Sequence, residues 1–110
     1  QGLVRRLPTS PDVHRYAVQL ARATRPGASP VDAVNQSVSW GAGPRASQYL
    51  ALGARVRAAL HGHEVPSVED VRAVAHGVLG HRVVRNFQAE AAGLDSRSIV
   101  DSILDEVSAP

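Results

Sequence analysis

Apolar residues recur at intervals of three and four in four stretches of this chain, and polar residues fill the positions between them. This spacing places the apolar side chains along one face of an α-helix. It predicts helices over residues 11–24, 44–61, 68–79 and 96–107. The predicted buried faces are, in chain order, Val13, Tyr16, Ala17, Leu20 and Ala21; Tyr49, Leu52, Val56, Ala59 and Leu60; Val71, Val74, Ala75, Val78 and Leu79; and Ile99, Val100, Ile103, Leu104 and Val107.

Residues that favour helix starts stand at the beginning of several of these stretches. Ser10 precedes Pro11, and proline is favoured at the first helical position, so Ser10 is predicted as an N-cap. Ser67 and Asp70 have the spacing of a capping box, with Asp70 where glutamate is usual. Asp95 is predicted as the N-cap of the last helix.

Two segments lack a clear helical pattern. Residues 25–43 allow a short helix that ends near Ser37, or an extended segment at residues 38–40. Residues 82–87 alternate apolar and polar side chains loosely, which is typical of a short extended segment. Helices that are apolar on one face bury those faces against one another. We therefore expect an all-α fold, a small orthogonal bundle of four to five helices, in a single domain over residues 1–110.

Composition limits what this chain can do alone. It has no cysteine, which excludes a thiolate nucleophile and a cysteine-type zinc site and fits a cytoplasmic protein. It has no lysine, so it lacks the P-loop lysine that binds a triphosphate. No run of about 18 apolar residues is present, so no membrane span is expected. The chain does not begin with methionine, and we expect it to be a fragment of a longer protein.

The charge of the chain does not indicate a nucleic-acid partner. Its 12 basic residues are all arginines, and the net charge is only +2. The sequence pI near 9.9 follows from the absence of lysine, because arginine keeps its charge beyond about pH 12. The arginines are scattered, and no helix has the basic face of a DNA-recognition helix.

The segment between Trp40 and the second long helix combines two glycines, a proline and an arginine. Its residues are Gly41, Ala42, Gly43, Pro44 and Arg45. Proline suits the first helical position, which places Arg45 at the second, beside the free N–H groups of the helix start. Helix N-termini attract anions, and a guanidinium binds phosphate oxygens in pairs. Arg45 is therefore the candidate phosphate-binding residue; a plain surface arginine after a turn is the alternative.

The histidines indicate no metal site. His61 and His63 lie in a glycine-containing turn with Glu64 beside them, a pattern more typical of a solvated loop than of metal ligands. His14 and His76 fall on polar helix faces and are predicted to lie at the surface.

Two further polar clusters were considered. His81 and Arg82 follow a glycine that ends a helix, and they either cap that helix with a salt bridge or contact a neighbouring domain or subunit. Asp101 and Asp105 share a helix face, but nothing around them suggests the perturbed environment of a catalytic pair, so we expect a solvated face.

Five segments of the chain, taken in their order along the sequence, match the pattern of a known protein family. They are residues 16–25, residues 40–47 with the sequence WGAGPRAS, residues 67–71, residues 78–83 and residues 86–91. Together they resemble the C-terminal helical lid of MoxR-type AAA+ ATPases, and the second segment is similar to the sensor 2 motif of that family. The resemblance extends over nearly the whole chain. Departures are a glycine at position 43, where the family often has serine, and another at position 80, where a polar residue is more usual.

The resemblance implies a lid that closes over ATP, with Mg²⁺ and the P-loop supplied by a separate N-terminal AAA+ core. Arg45 would be the sensor 2 arginine, and residues 41–45 would contact the ATP phosphates, with glycines that allow the nucleotide to approach closely. The family further implies a homo-oligomeric ring, commonly a hexamer. It also implies chaperone-like maturation of partner complexes, with von Willebrand factor A-domain proteins or metalloenzymes as clients. The chain would not be an enzyme on its own.

Two other classes of function are open on the sequence alone. A free-standing helical module that binds protein or DNA would use one helix face, and residues 41–45 would then be a plain connector. An independent enzyme would need a nucleophile, a base and an orienting group, and the sequence contains no such set.

Overall fold

The computed structural model describes residues 11–110, so the predicted N-cap Ser10 lies outside the described residues. Within that range the chain forms six helices and two short strands, which confirms the helical bundle with a small extended part. The elements are α1 (Pro11–Ala23), α2 (Asp32–Ser37), β1 (Val38–Trp40), α3 (Ala46–Leu60), α4 (Val68–Leu79), β2 (Val84–Arg85), α5 (Phe87–Ala91) and α6 (Ser96–Glu106). None of the helices in residues 11–110 is long and apolar enough to cross a bilayer.

The core lies between α1, α3, α4 and α6 and is fully closed to solvent at its centre. Its largest buried side chains are Tyr16, Leu20, Leu50, Leu79, Ile99 and Ile103. The predicted buried faces of α1, α4 and α6 supply most of it, while Ala21, Val74, Val78 and Leu104 are partly buried at its edge. Three of the four predicted apolar faces are therefore confirmed.

The predicted buried face of α3 is wrong. The buried residues of this helix are Ala46, Leu50, Ala54 and Ala58, whereas the predicted Tyr49, Leu52, Val56, Ala59 and Leu60 are exposed. α3 packs closely on both α1 and α4. Alanines on the inner face let the helix backbones approach, and the larger apolar side chains of α3 are left on the outside.

The two strands pair with each other and join the two irregular segments. β1 and β2 are antiparallel, with Val38 opposite Arg85 and Trp40 opposite Val84. The Asn86 backbone N–H donates to the Ser37 carbonyl at 2.8 Å, which extends the pairing by one bond. Both alternatives for residues 25–43 are thus realised, because a short helix runs directly into an extended strand.

The helix α5 was not predicted. It has only five residues, which is too short for an apolar repeat to appear in the sequence. Asn86 caps it, since its side-chain oxygen accepts a hydrogen bond from the Ala89 N–H at 2.9 Å. Asp95 caps α6 in the same way through the Ser98 N–H at 2.9 Å, as predicted.

The start of α4 combines a capping box with a buried ion pair. The Asp70 carboxylate accepts a hydrogen bond from the Ser67 N–H at 2.8 Å and one from Arg57 Nη1 of α3 at 2.6 Å. Asp70 is only 1% exposed. Burial raises the pKa of this carboxyl, but the bonds from Ser67 and Arg57 and the charge of Arg57 outweigh burial and lower the pKa overall.

Polar contacts also fix α4 against the neighbouring helices. Arg72 Nη1 donates to the Tyr16 hydroxyl at 2.8 Å and to the Leu104 carbonyl at 3.0 Å, which links α1, α4 and α6. His76 Nε2 lies 2.9 Å from an Asp101 carboxylate oxygen. His76 and Asp101 lie at the surface, as predicted, with side chains 27% and 56% exposed; the contact between them was not predicted, because it depends on the packing of α4 against α6.

Candidate functional site

The loop of residues 41–45 connects β1 to α3 and ends in the candidate arginine. The Tyr49 N–H donates to the Arg45 carbonyl at 3.1 Å, and the Ala46 N–H donates to the Gly43 carbonyl at 3.3 Å. Arg45 is therefore the N-cap residue, and α3 begins at Ala46. The predicted placement of Pro44 and Arg45 as the first two helical residues is wrong, because this pair forms the turn that leads into the helix.

The Arg45 side chain has no ionic partner among the described residues. Arg45 is exposed to solvent, and within residues 11–110 no carboxylate lies within ion-pair distance of it. A cation with no internal partner keeps its hydrogen-bond donors available. It stands at a helix N-terminus, where the helix dipole also favours an anion.

A buried threonine holds the loop in place. Thr24 is the residue after α1. Its hydroxyl donates to the Ala21 carbonyl at 2.6 Å and accepts from the Ala42 N–H at 2.9 Å. Thr24 has no exposed surface, and Ala42 is buried beside it. The N–H of Ala42 is thus used inside the protein. The role of Thr24 was not predicted, because it depends on a contact with a residue 18 positions away.

Each glycine of the loop has its own structural reason. A Cβ at Gly41 would lie 2.9 Å from the Thr24 carbonyl oxygen, which is closer than real side chains come. Gly43 has a φ of +92°, which glycine adopts without the steric cost other residues incur. The absence of a side chain at Gly41 therefore allows the close contact with Thr24, directly after α1.

We expect Gly41→Ala to lower the free energy of unfolding by roughly 1–2 kcal/mol, since the added Cβ forces the loop away from Thr24. Chemical denaturation of the chain measures this. Gly77→Ala is the matched control, because a Cβ at Gly77 meets nothing within 4 Å. That control should be neutral or slightly stabilising, as alanine is the better helix former. Equal stability of the two variants would contradict the close approach.

Two further arginines lie beside the loop. Arg22 and Arg25, at the end of α1, border a shallow cavity of about 250 Å³ together with Gly43 and Pro44. Arg25 also borders a second cavity of about 430 Å³ next to Trp40. No acidic residue among residues 11–110 lines either cavity. The concave surface around the loop thus has arginines at its border, which favours an anionic ligand.

Arg22 and Arg25 were not predicted as site residues. Their spacing of three places them on one side of the helix end, and that is the signal available in the sequence. Only the fold shows that this helix end lies beside residues 43 and 44.

His81 and Arg82 belong to a different surface. Both are exposed, and they line a groove between α3 and α4 that includes no residue of the 41–45 loop. The Arg82 guanidinium lies over the Tyr49 ring, 4.2 Å from its centroid. The structure therefore does not bring the two predicted site clusters together.

His61 and His63 are exposed in the turn between α3 and α4. No group of three His, Asp or Glu side chains that could hold a metal ion is present in the part of the chain described by the structure.

Comparisons with known proteins agree on one family. Residues 32–103 match the family model described as the AAA lid domain. The chain is 32% identical over 96 residues to Chaperone MoxR1 of Mycobacterium tuberculosis, covering 86% of this chain and 26% of that protein. It is 41% identical over 78 residues to Protein MoxR of Methylorubrum extorquens, covering 66% of this chain and 23% of that protein.

A solved structure is also similar. A protein of Cytophaga hutchinsonii that is assigned as an ATPase superposes with a TM-score of 0.91 at 29% sequence identity. The match covers 98% of this chain and 33% of that one. The chain thus spans about a quarter of the length of the curated relatives that it matches.

Proposed function

Because this chain belongs to the AAA lid domain family, and the proteins it resembles include MoxR chaperones, we propose that it closes over ATP bound by an AAA+ core and presents Arg45 to the phosphates. In this proposal Arg45 is the sensor 2 arginine. One observation carries it: within residues 11–110, Arg45 is an exposed cation at a helix start that no carboxylate neutralises.

The surroundings of the loop that carries Arg45 support a phosphate ligand. Arg22 and Arg25 border the cavity beside Gly43 and Pro44, and none of the described residues that line this cavity is an acid that would repel an anion. A triphosphate needs several positive groups because its charge is spread over several oxygens. Arg45 is the strongest candidate of the three, since it alone begins a helix.

Arg45 would act by contacting charge rather than by moving protons. Phosphoryl transfer depends mainly on positioning and on stabilising the charge of the transferred group. A contact from Arg45 to the terminal phosphate exists before hydrolysis and is lost after the phosphate leaves. The orientation of the lid would then follow the nucleotide state, because differential contacts shift a conformational equilibrium.

The chain needs other parts of a longer protein to hydrolyse ATP. It has no lysine for a P-loop, and residues that hold Mg²⁺ would come from the N-terminal AAA+ core. Membership of the AAA family indicates assembly with such a core into an oligomeric ring. We propose a homo-hexamer in the cytoplasm, with von Willebrand factor A-domain proteins or metalloenzymes as its clients.

We expect Arg45→Ala in the full-length ATPase to reduce turnover at least about tenfold, equivalent to about 1.4 kcal/mol of transition-state stabilisation. Steady-state ATPase assays measure kcat and KM separately. Arg45→Lys should recover only part of the rate, because lysine is a point charge without the bidentate geometry of arginine.

Arg97→Ala is the matched control for this experiment. Arg97 is also an exposed arginine in the first turn of a helix, but that helix is α6, which does not follow the 41–45 loop. The control should retain full turnover. Unchanged turnover in Arg45→Ala would refute the role of Arg45 and leave its exposure without a function in ATP hydrolysis.

A further inference from the structure

The exposed face of α3 and the adjoining face of α4 form an apolar groove of about 860 Å³. We name it the α3–α4 groove. Its apolar floor is formed by Leu52, Gly53, Val56, Val74, Gly77 and Val78. At one end lies Leu60, which is 81% exposed. A contiguous apolar surface of this kind is the usual mark of an interaction site.

The groove suits a helix better than an extended peptide. It lies between two helices whose backbone groups are already paired within the helices, so its walls offer no strand edge. An extended peptide would place unpaired N–H and C=O groups against apolar side chains, which is costly. A helix satisfies its own backbone and inserts apolar side chains at intervals of three and four.

Small residues make the floor accessible to a helix. A Cβ added at Gly77 would meet nothing within 4 Å, so the surface is open there. Gly53 faces the Val74 side chain closely, at 3.2 Å from an added Cβ. The two helices therefore lie close together at this point, and the floor between them remains shallow enough for another helix to pack on it.

The charged residues around the groove favour a partner with negative charge. Arg57, His81 and Arg82 line it, and no acidic residue does so within residues 11–110. Arg57 already forms an ion pair with Asp70. Arg82 is stacked on Tyr49 and has no carboxylate partner in the described residues. A partner with carboxylates at the Arg82 end of the groove is electrostatically complementary to it.

Segments of this chain do not meet these requirements. Residues 1–7 combine apolar side chains with Arg5 and Arg6 and have no acid, so their charge has the wrong sign. The acidic helix α6 already buries its apolar face in the core. The helix α5 exposes Phe87 and Glu90, but with five residues it is too short to place an apolar stripe along the groove.

We propose that the α3–α4 groove binds an amphipathic helix of a partner protein, with an apolar stripe on the floor and a carboxylate against Arg82. This goes beyond the proposed ATP role, because the groove and the 41–45 loop share no lining residue. The two proposals can therefore fail separately: Arg45 variants test the first and groove variants test the second.

The first test uses the 110-residue chain and a fluorescent synthetic peptide of about 16 residues, long enough to form a helix when bound. The peptide has leucines at helical spacing and glutamates on both sides of the stripe. Anisotropy titration should show saturable binding. Leu52→Asp should abolish it, because a charge then lies on the apolar floor. Arg97→Glu is the control and should bind as the unmodified chain does. Absence of binding by the unmodified chain would overturn the proposal.

A charge exchange tests the role of Arg82. Arg82→Glu should weaken binding of the glutamate peptide roughly fivefold or more, since attraction becomes repulsion. The same variant should bind a peptide with lysines in place of the glutamates more tightly than the unmodified chain does. Equal affinity of the unmodified chain for both peptides would overturn the assignment of an acidic partner.

Accessibility in the assembled ATPase decides between an external partner and the ring itself. Leu60→Cys introduces a thiol into the groove of a chain that has no cysteine of its own, and the full-length protein without this substitution gives the background labelling. The introduced thiol should react with a thiol reagent in the assembled ring and become protected when the glutamate peptide is added. Protection before any peptide is added would assign the groove to the ATPase's own subunits and overturn the partner assignment.

Discussion

Leu50→Ala should lower the free energy of unfolding by about 3 kcal/mol, whereas Leu52→Ala should lower it by less than about 1 kcal/mol. Both leucines belong to α3 and both lose the same atoms. Leu50 has no exposed surface and lies in the core, while Leu52 is 45% exposed in the groove. Truncation at Leu50 leaves a cavity between packed helices, but truncation at Leu52 leaves a gap that water can fill.

Urea denaturation followed by circular dichroism measures the two losses on the same scale. The comparison also tests which face of α3 is buried, since the apolar pattern of the sequence predicts the opposite order. A larger loss for Leu52→Ala would mean that the helix is rotated relative to the structure described above. Similar small losses for both would mean that neither side chain lies in a closely packed core.

Arg57→Met should lower the free energy of unfolding by about 2 kcal/mol at neutral pH. The variant keeps most of the apolar stem of Arg57 but leaves the buried Asp70 carboxylate without its charged partner. The bonds from Ser67 remain and limit the loss. The matched control is Arg15→Met. Its ion pair with Asp12 is exposed on both sides, with an N–O distance of 3.5 Å, so the effect should be below about 0.5 kcal/mol.

The loss of stability caused by Arg57→Met should become smaller as the pH falls into the acid range. The pKa of Asp70 is lower in the folded protein than in the unfolded chain, where it is about 3.9. Its stabilising contribution is therefore fully present above about pH 4 and is lost as the pH falls through the folded value. The difference between Arg57→Met and the unmodified chain should stay constant from about pH 5 upward and shrink in acid. A difference that grows in acid would contradict the ion pair.

Some features of the candidate site depend on neighbouring residues in the sequence, and others depend on contacts between residues far apart in the chain. Arg45 could be selected from sequence because the glycines, the proline and the arginine are adjacent and their helix-start chemistry is local. Two features could not be predicted: the placement of Arg45 at the N-cap, two positions earlier in the helix than expected, and the anchoring of the loop by Thr24. They depend on the Thr24 to Ala42 hydrogen bond, which joins residues far apart in the chain.

The exposed α3–α4 groove also depends on contacts between distant residues, because these contacts decide which face of α3 is buried. In α3, apolar residues occur on more than one side, and the sequence pattern favours the side with the larger side chains. Packing selects the other side, because the alanines at positions 46, 54 and 58 let α1 and α4 approach the helix. The large residues that were expected in the core then become the floor of an exposed surface. His81 and Arg82 line this exposed surface together with the large side chains of α3.

By itself, the sequence determined the helical class, most helix boundaries and caps, three of the four buried faces, and the position of Arg45 at a helix start. These properties depend on side-chain periodicity and on residues within one helical turn of each other. Tertiary structure alone decided which face of α3 is buried, that Arg22 and Arg25 border the cavity beside residues 43 and 44, and that a second, apolar surface lies away from that loop. Those properties depend on how closely the helices pack, and helix packing distance is set by pairs of residues that the linear sequence does not show together.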